Sequence, residues 1–360
     1  MMIFSSLFCS TLLVSSPARL PAVPVQAPIS VTKVRVVPGI RPVALAPAPQ
    51  GSKFVACLED GSVRIIDANT RATVRELAKH VQPAYAATWS LDGAWIATGD
   101  ESGRIFIEDA RNGARVYEYR DHTRGVQKVS FNRGRTALAS TGKDDTIVIQ
   151  EPAKATPAVE RRILGNGANL YGAEYNPATL DSIATGILVD AGRVYDSRTG
   201  AVKSLLSERG CQGTFDVAFN RNGTRVVTAG RDGVSLVWDA AKNRRLARLV
   251  GHQDWAVYAA WSPSGRLIAT SSTDRTVMIW NAMSYQRIAT LSDQNSVGSP
   301  LCFTGDGKFL ITTDVGGELQ INAVTPSQPA VAAPAPVKKA PVKKAPAKKS
   351  PVKKGRKKRG

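Results

Sequence analysis

The chain has 360 residues, 43% of them hydrophobic, and a formal charge of +19 from 48 Lys and Arg against 29 Asp and Glu. That length is ample for one large core and requires no second globular domain, while no apolar run approaches the roughly 18 residues of a membrane-spanning helix. The charge is uneven: twelve of the nineteen excess positive charges lie between Lys338 and Arg359, a stretch without an acid, which leaves +7 for everything before it.

At the N-terminus an apolar run from Ile3 to Val14 is followed by a Pro- and Ala-rich stretch through Pro28. The run suits the apolar region of a secretory signal, with small residues for cleavage at Ser16-Pro17-Ala18 and a second such site at Val25-Gln26-Ala27. The expected organisation is a signal peptide over 1–18, a linker over 19–29, a repeat domain over 30–323 and a basic tail over 324–360. Export to a periplasmic, cell-surface or extracellular location follows from that reading, and a cytoplasmic location follows if the leader is not a signal.

From Ser30 to Ala323 one phrase recurs about every 42 residues: an apolar strand, a Gly turn, a strand ending in small hydroxyl residues, an acidic turn, and a strand ending in an aromatic and an acid. Turn glycines fall at Gly51, Gly93, Gly134, Gly223, Gly265 and Gly307, with Ala178-Thr179 standing in where one is missing. Seven such units predict an all-β, seven-bladed β-propeller of four-stranded antiparallel blades. Hairpin turns are expected at Asp60-Gly61, Asp92-Gly93, Asn222-Gly223, Asp232-Gly233 and Asp306-Gly307, where Gly tolerates positive φ. The last unit stops after its third strand near Glu318 to Asn322, and an extra alternating segment, Val31 to Val37, precedes the first. Pairing the two would close the ring and remove a free edge.

The clearest units close at Leu236-Val237-Trp238-Asp239 and Met278-Ile279-Trp280-Asn281. They resemble the WD40 family, in which a loop His, a strand Ser or Thr, a turn Asp and a strand Trp hydrogen-bond in series within a blade. The resemblance implies a structural set of His252, Thr270, Asp274 and Trp280 in unit six. It implies His122, Ser140 and Asp144 in unit three, with Gln150 in place of Trp, and Thr228, Asp232 and Trp238 in unit five, without a His. Unit two has His80 and Thr98, with Ser102 and Glu108 at the other two positions. Units one, four and seven are weaker, ending in Ile66, Tyr195 and Asn322. All three histidines of the chain precede their turn position by 22 residues, which assigns them to the scaffold and leaves no His as a general base.

Past Ala323 the chain turns to Pro, Ala, Val and Lys with a period near five residues, resembling the tails of linker histones. Its cations are Lys338, Lys339, Lys343, Lys344, Lys348, Lys349, Lys353, Lys354, Arg356, Lys357, Lys358 and Arg359. The resemblance implies contact with a polyanion by counterion release, either nucleic acid or an anionic cell-surface polymer; a solubilising spacer is the competing role.

Phosphate loops, nucleophile elbows, zinc-protease helices and calcium loops are absent from the sequence. The cysteines Cys9, Cys57, Cys211 and Cys302 sit apart without zinc-site spacing, so neither metal, disulfide nor cofactor is expected. The reading is a non-enzymatic, monomeric scaffold binding a protein or peptide on one propeller face. Loops on a rigid ring carry that recognition, through Tyr85, Arg124, Asn169, Asp254 and Trp255. A nucleic-acid-associated protein dominated by its tail is one alternative, and a propeller hydrolase or lyase using Asp216 or Asp254 is the other.

Overall fold

The computed structural model describes residues 29–152, 159–165, 170–188, 192–208 and 212–326. The leader, the basic tail, Asn169 and Cys211 lie outside them. The described residues form seven four-stranded antiparallel sheets arranged as blades, and no helix among them is long and apolar enough to cross a membrane. In blades 1 to 6 the four strands follow one another in sequence from the inner to the outer edge.

Blade 7 is composite. Its inner strands Cys302–Phe303, Phe309–Thr313 and Leu319–Pro326 come from the end of the chain, and Ile29–Val37 supplies the outer one. That strand pairs antiparallel from Ile29 against Pro326 to Val37 against Leu319, with one bulge between Lys33 and Arg35. Closure therefore takes the form expected from the alternating segment, with strands that run one residue earlier and three further than the 30–323 span.

Apolar side chains collect into seven layers, each between two neighbouring blades. The layer holding Phe54, Ile66, Ile311 and Ile321 joins blade 1 to blade 7. Every blade thus buries both faces, which is why its second and third strands read as nearly unbroken apolar runs. Cys57 on a second strand and Cys302 on an inner strand are free buried thiols, and burial pushes both well above the ordinary thiol range.

The turn after each inner strand repeats one geometry with one correction to the sequence reading. Gly51, Gly93, Gly223, Gly265 and Gly307 have positive φ, but in blade 3 the left-handed residue is Arg135 (φ 57°), not Gly134. Arg135 N–H donates to Asn132 as Gly93 N–H does to Ser90, and Thr179 N–H to Asn176 makes the same bond in blade 4. With the slot read as 135 the step from Gly93 is 42 residues, like the step from Gly51 to Gly93, while the two steps through Thr179 to Gly223 are 44 each.

Candidate binding site in the central channel

Rigidity at the channel begins with the hydrogen-bonded locks inside the blades. In blade 6, Trp280 Nε1 donates to Thr270 Oγ1 (2.9 Å), Thr270 Oγ1 lies 2.8 Å from His252 Nε2, and His252 Nδ1 lies 3.0 Å from Asp274. An ionised Asp274 can only accept, so Nδ1 carries the proton and Nε2 accepts from the threonine. Burial alone would raise the Asp274 carboxyl, but the Thr276 hydroxyl, the Gln253 N–H and His252 hold it below the usual carboxylate range. Blade 3 repeats the set with His122 bonded to Ser140 (2.8 Å) and Asp144 (3.0 Å), while Gln150 donates to Asp121 instead. In blade 5, Trp238 Nε1 reaches Thr228 (3.3 Å), but Asp232 only accepts its own turn N–H from Val234.

Two blades depart from the pattern. In blade 2, His80 Nε2 bonds Thr98 (2.8 Å), but Nδ1 bonds Asp100 (2.9 Å) rather than anything at Ser102. Ser102 donates its hydroxyl to Asp100 (2.7 Å), so serine and aspartate have exchanged the places that Ser272 and Asp274 hold in blade 6. Phe106 stacks on His80 at 4.1 Å, and Glu108 accepts from the Ala78 N–H while burial raises its carboxyl. In blade 7 amides replace both His and Trp: Gln294 donates to Gln320 (3.0 Å), Thr312 to Gln320 (3.1 Å) and Asn322 to Thr312 (3.1 Å).

These locks fix inner strands whose first turn is bulged at one offset. Pairing with the second strand skips a residue between Pro42 and Ala44, Ala84 and Ala86, Val126 and Lys128, Thr214 and Asp216, and Ala256 and Tyr258; in blade 4 the shift falls between Leu170 and Ala173. A bulge re-aims the extra side chain. The residues at this offset are Val43, Tyr85, Gln127, Tyr171, Phe215 and Val257, and all six line a cavity of about 460 Å³ at the upper mouth of the channel.

The aromatics there touch one another. Tyr171 meets Phe215 edge-on at 5.6 Å, Phe215 meets Trp255 at 5.6 Å, and the Arg231 guanidinium lies 5.0 Å over Trp255. Trp255 still exposes 42% of its surface and Tyr85 41%. Lys143, paired with Glu101 at 2.7 Å, sits 5.6 Å over the Tyr85 ring. Of the face residues expected from sequence, Tyr85 and Trp255 line the cavity. Arg124 and Asp254 do not: Arg124 is exposed, and Asp254 holds its own loop by accepting from Trp255 N–H and Ser272. Asn169 lies outside the described residues. Tyr171 and Phe215 were missed, although both sit in the same column as Tyr85 along the repeat.

A charged group forms the floor. Lys128 donates to Asp216 (2.9 Å), which also accepts from Ala259 N–H, and Glu174 accepts from Phe219 N–H (3.1 Å). Burial pushes the Glu174 carboxyl up to about 8, with Lys128 opposing and Asp216 adding to the shift. Burial thus favours the neutral form of Glu174, while Asp216 is engaged with Lys128. Below it a second cavity of about 910 Å³ shares Leu45, Ala87, Lys128, Ala259 and Leu301 with the first, which makes the two the opposite ends of one channel. Among the described residues no cluster of three His, Cys, Asp or Glu side chains could hold a metal ion.

Seven blades, five of them locked around a buried hydroxyl, with a bulged aromatic mouth, define a β-propeller repeat protein. Residues 203–239 and 243–281 match the WD40 family model, described as WD domain, G-beta repeat, and each segment ends one residue after a lock tryptophan. The two matched segments fall on the part of the seven-bladed propeller that carries blades 5 and 6. It is 29% identical over 47% of its length to nuclear distribution protein nudF of Aspergillus niger, covering 38% of that protein. It is 29% identical over 28% of its length to autophagy-related protein 18 of Vanderwaltozyma polyspora, covering 18% of that protein. To APC/C activator protein CDC20 of Saccharomyces cerevisiae it is 30% identical over 29% of its length, covering 17%. The matched part is thus well under half of each of these relatives.

Proposed function

We propose that the propeller is a non-enzymatic scaffold that holds a peptide or protein segment in its upper mouth. The observation that carries this is the column of bulged inner-strand residues, which places Tyr85, Tyr171 and Phe215, with Trp255 beside them, around one cavity. Rigid aromatics that remain exposed beside a pocket bury large area at small entropic cost, as interface anchors do. The three histidines are engaged within their blades and Asp216 is bound to Lys128, which favours binding over acid-base chemistry. Similarity to an APC/C activator protein and to a nuclear distribution protein supports an interaction role. The proposal extends to the termini on composition alone: the leader directs export, and the basic tail holds a polyanion.

The test is selection of binders from a random peptide display library on the full chain, followed by affinity measurement on Phe215→Ala and Trp255→Ala variants. Selected peptides should bind each variant at least about tenfold more weakly. Peptides that bind both variants as tightly as the parent would move the site away from this mouth.

A further inference from the structure

The lower mouth is built from the residue two places after each inner strand's last position. In the first six blades these are Pro49, Leu91, Arg133, Pro177, Arg221 and Pro263, with Gly305 in the seventh, and all line the 910 Å³ cavity. Four of the six are apolar, and Leu91 is 47% exposed. The two arginines stand in blades 3 and 5 on either side of Pro177. Neither guanidinium has an ion pair, a hydrogen bond or a ring contact among the described residues.

Nearby arginines are used differently. Arg135 pairs with Asp92 (3.2 Å) and lies 4.2 Å over Trp95, and Arg225 donates to the Ala282 carbonyl (2.9 Å). Of the other ionisable groups lining this mouth, Asp92 pairs with Arg135, Lys128 with Asp216, and Glu174 accepts from Phe219 N–H with burial favouring its neutral form. What remains is an apolar rim with two unpaired guanidiniums, which are forked donors matched to carboxylates. The chain's own tail is excluded as occupant, because its twelve cations would meet like charge.

We infer that the lower mouth binds an extended acidic segment of a partner protein, its carboxylates on Arg133 and Arg221 and its apolar side chains against Leu91 and the prolines. Nucleic acid fits less well, since a phosphate backbone calls for a stripe of cations, and this mouth offers two with the Asp92 carboxylate beside them. The site stands independently of the upper mouth.

The probe is a fluorescent dodecapeptide alternating Glu and Leu, bearing one photo-crosslinking residue, with its Gln counterpart and a single-stranded dodecanucleotide as comparisons. Binding is read by anisotropy on the full chain and on the Arg133→Gln/Arg221→Gln variant, so that the tail is present in both. The Glu peptide should lose at least about tenfold in affinity in the variant, the Gln peptide should bind poorly to both, and adducts should map to Leu91, Pro177 or Pro263. Unchanged affinity, or adducts confined to residues 338–359, would overturn the inference; so would an equal loss for the oligonucleotide, which would assign the mouth to nucleic acid. Should the Gln pair lower the unfolding midpoint, Leu91→Glu places a repelling carboxylate beside intact arginines and must give the same loss.

Discussion

His80 shows how one buried side chain can keep its function while its partner moves along the chain. A fixed interval of 22 residues points from His80 to Ser102, yet the acid it meets is Asp100, two residues earlier at the end of a strand. Ser102 supports that acid instead of replacing it. Removing Asp100 would strand the buried His80 Nδ1–H and should cost about 1–3 kcal/mol, as Asp274→Ala should in blade 6. Ser102→Ala removes one of several donors to a carboxylate that keeps the others and should cost under about 1 kcal/mol. The exchange Asp100→Ser/Ser102→Asp copies blade 6 and should recover most of the loss. Urea unfolding of the four variants checks this, and equal destabilisation by Ser102→Ala and Asp100→Ala would contradict it. The blade 7 lock was equally open to view, since Gln294 and Asn322 stand 42 residues after His252 and Trp280. A search for His and Trp passes over it because the slot conserves hydrogen-bonding capacity, which amides also supply.

Strands and turns were the most legible level, because burial on both faces of a blade imposes long apolar runs and turn chemistry marks their ends. Bulges were not legible. They are a property of pairing between two strands, and nothing in Ala84-Tyr85-Ala86 alone says that Tyr85 will be the unpaired residue. The upper mouth therefore emerged only in part from sequence, through the loop residue Trp255 and through Tyr85. The closing strand was legible from its alternation and from the incomplete last unit, and its role gives a direct test. Deleting residues 1–28 leaves the pairing of Ile29–Val37 with Leu319–Pro326 intact and should leave solubility and the unfolding midpoint unchanged. Deleting 1–37 exposes the edge of Leu319–Pro326 and uncovers Val324 and its neighbours in the layer between blades 6 and 7. That variant should aggregate, as unpaired edges do, and light scattering of the two truncations compares them. Equal solubility would mean that the outer strand does not seal the ring.

At the scale of the whole chain, charge divides what shape does not. The part before Lys338 carries +7 and the segment from Lys338 to Arg359 carries +12, so a polyanion should be held chiefly by the tail while the propeller mouths select by shape and by a few placed groups. The two contributions respond differently to salt. A mouth with two guanidiniums releases few counterions, whereas a tail engaging roughly six to ten phosphates should give a slope of log K against log salt of about −5 to −9 for duplex DNA, at about −0.9 per contact. Scrambling the order of residues within the tail should leave the slope in place, because it depends on charge number and not on sequence. The comparison is the full chain against the chain ending at Ser327, each titrated with duplex DNA at several salt concentrations. The shortened chain should bind weakly with a shallow slope; equal affinity and slope for the two would reduce the tail to a spacer and place the polyanion contact on the propeller.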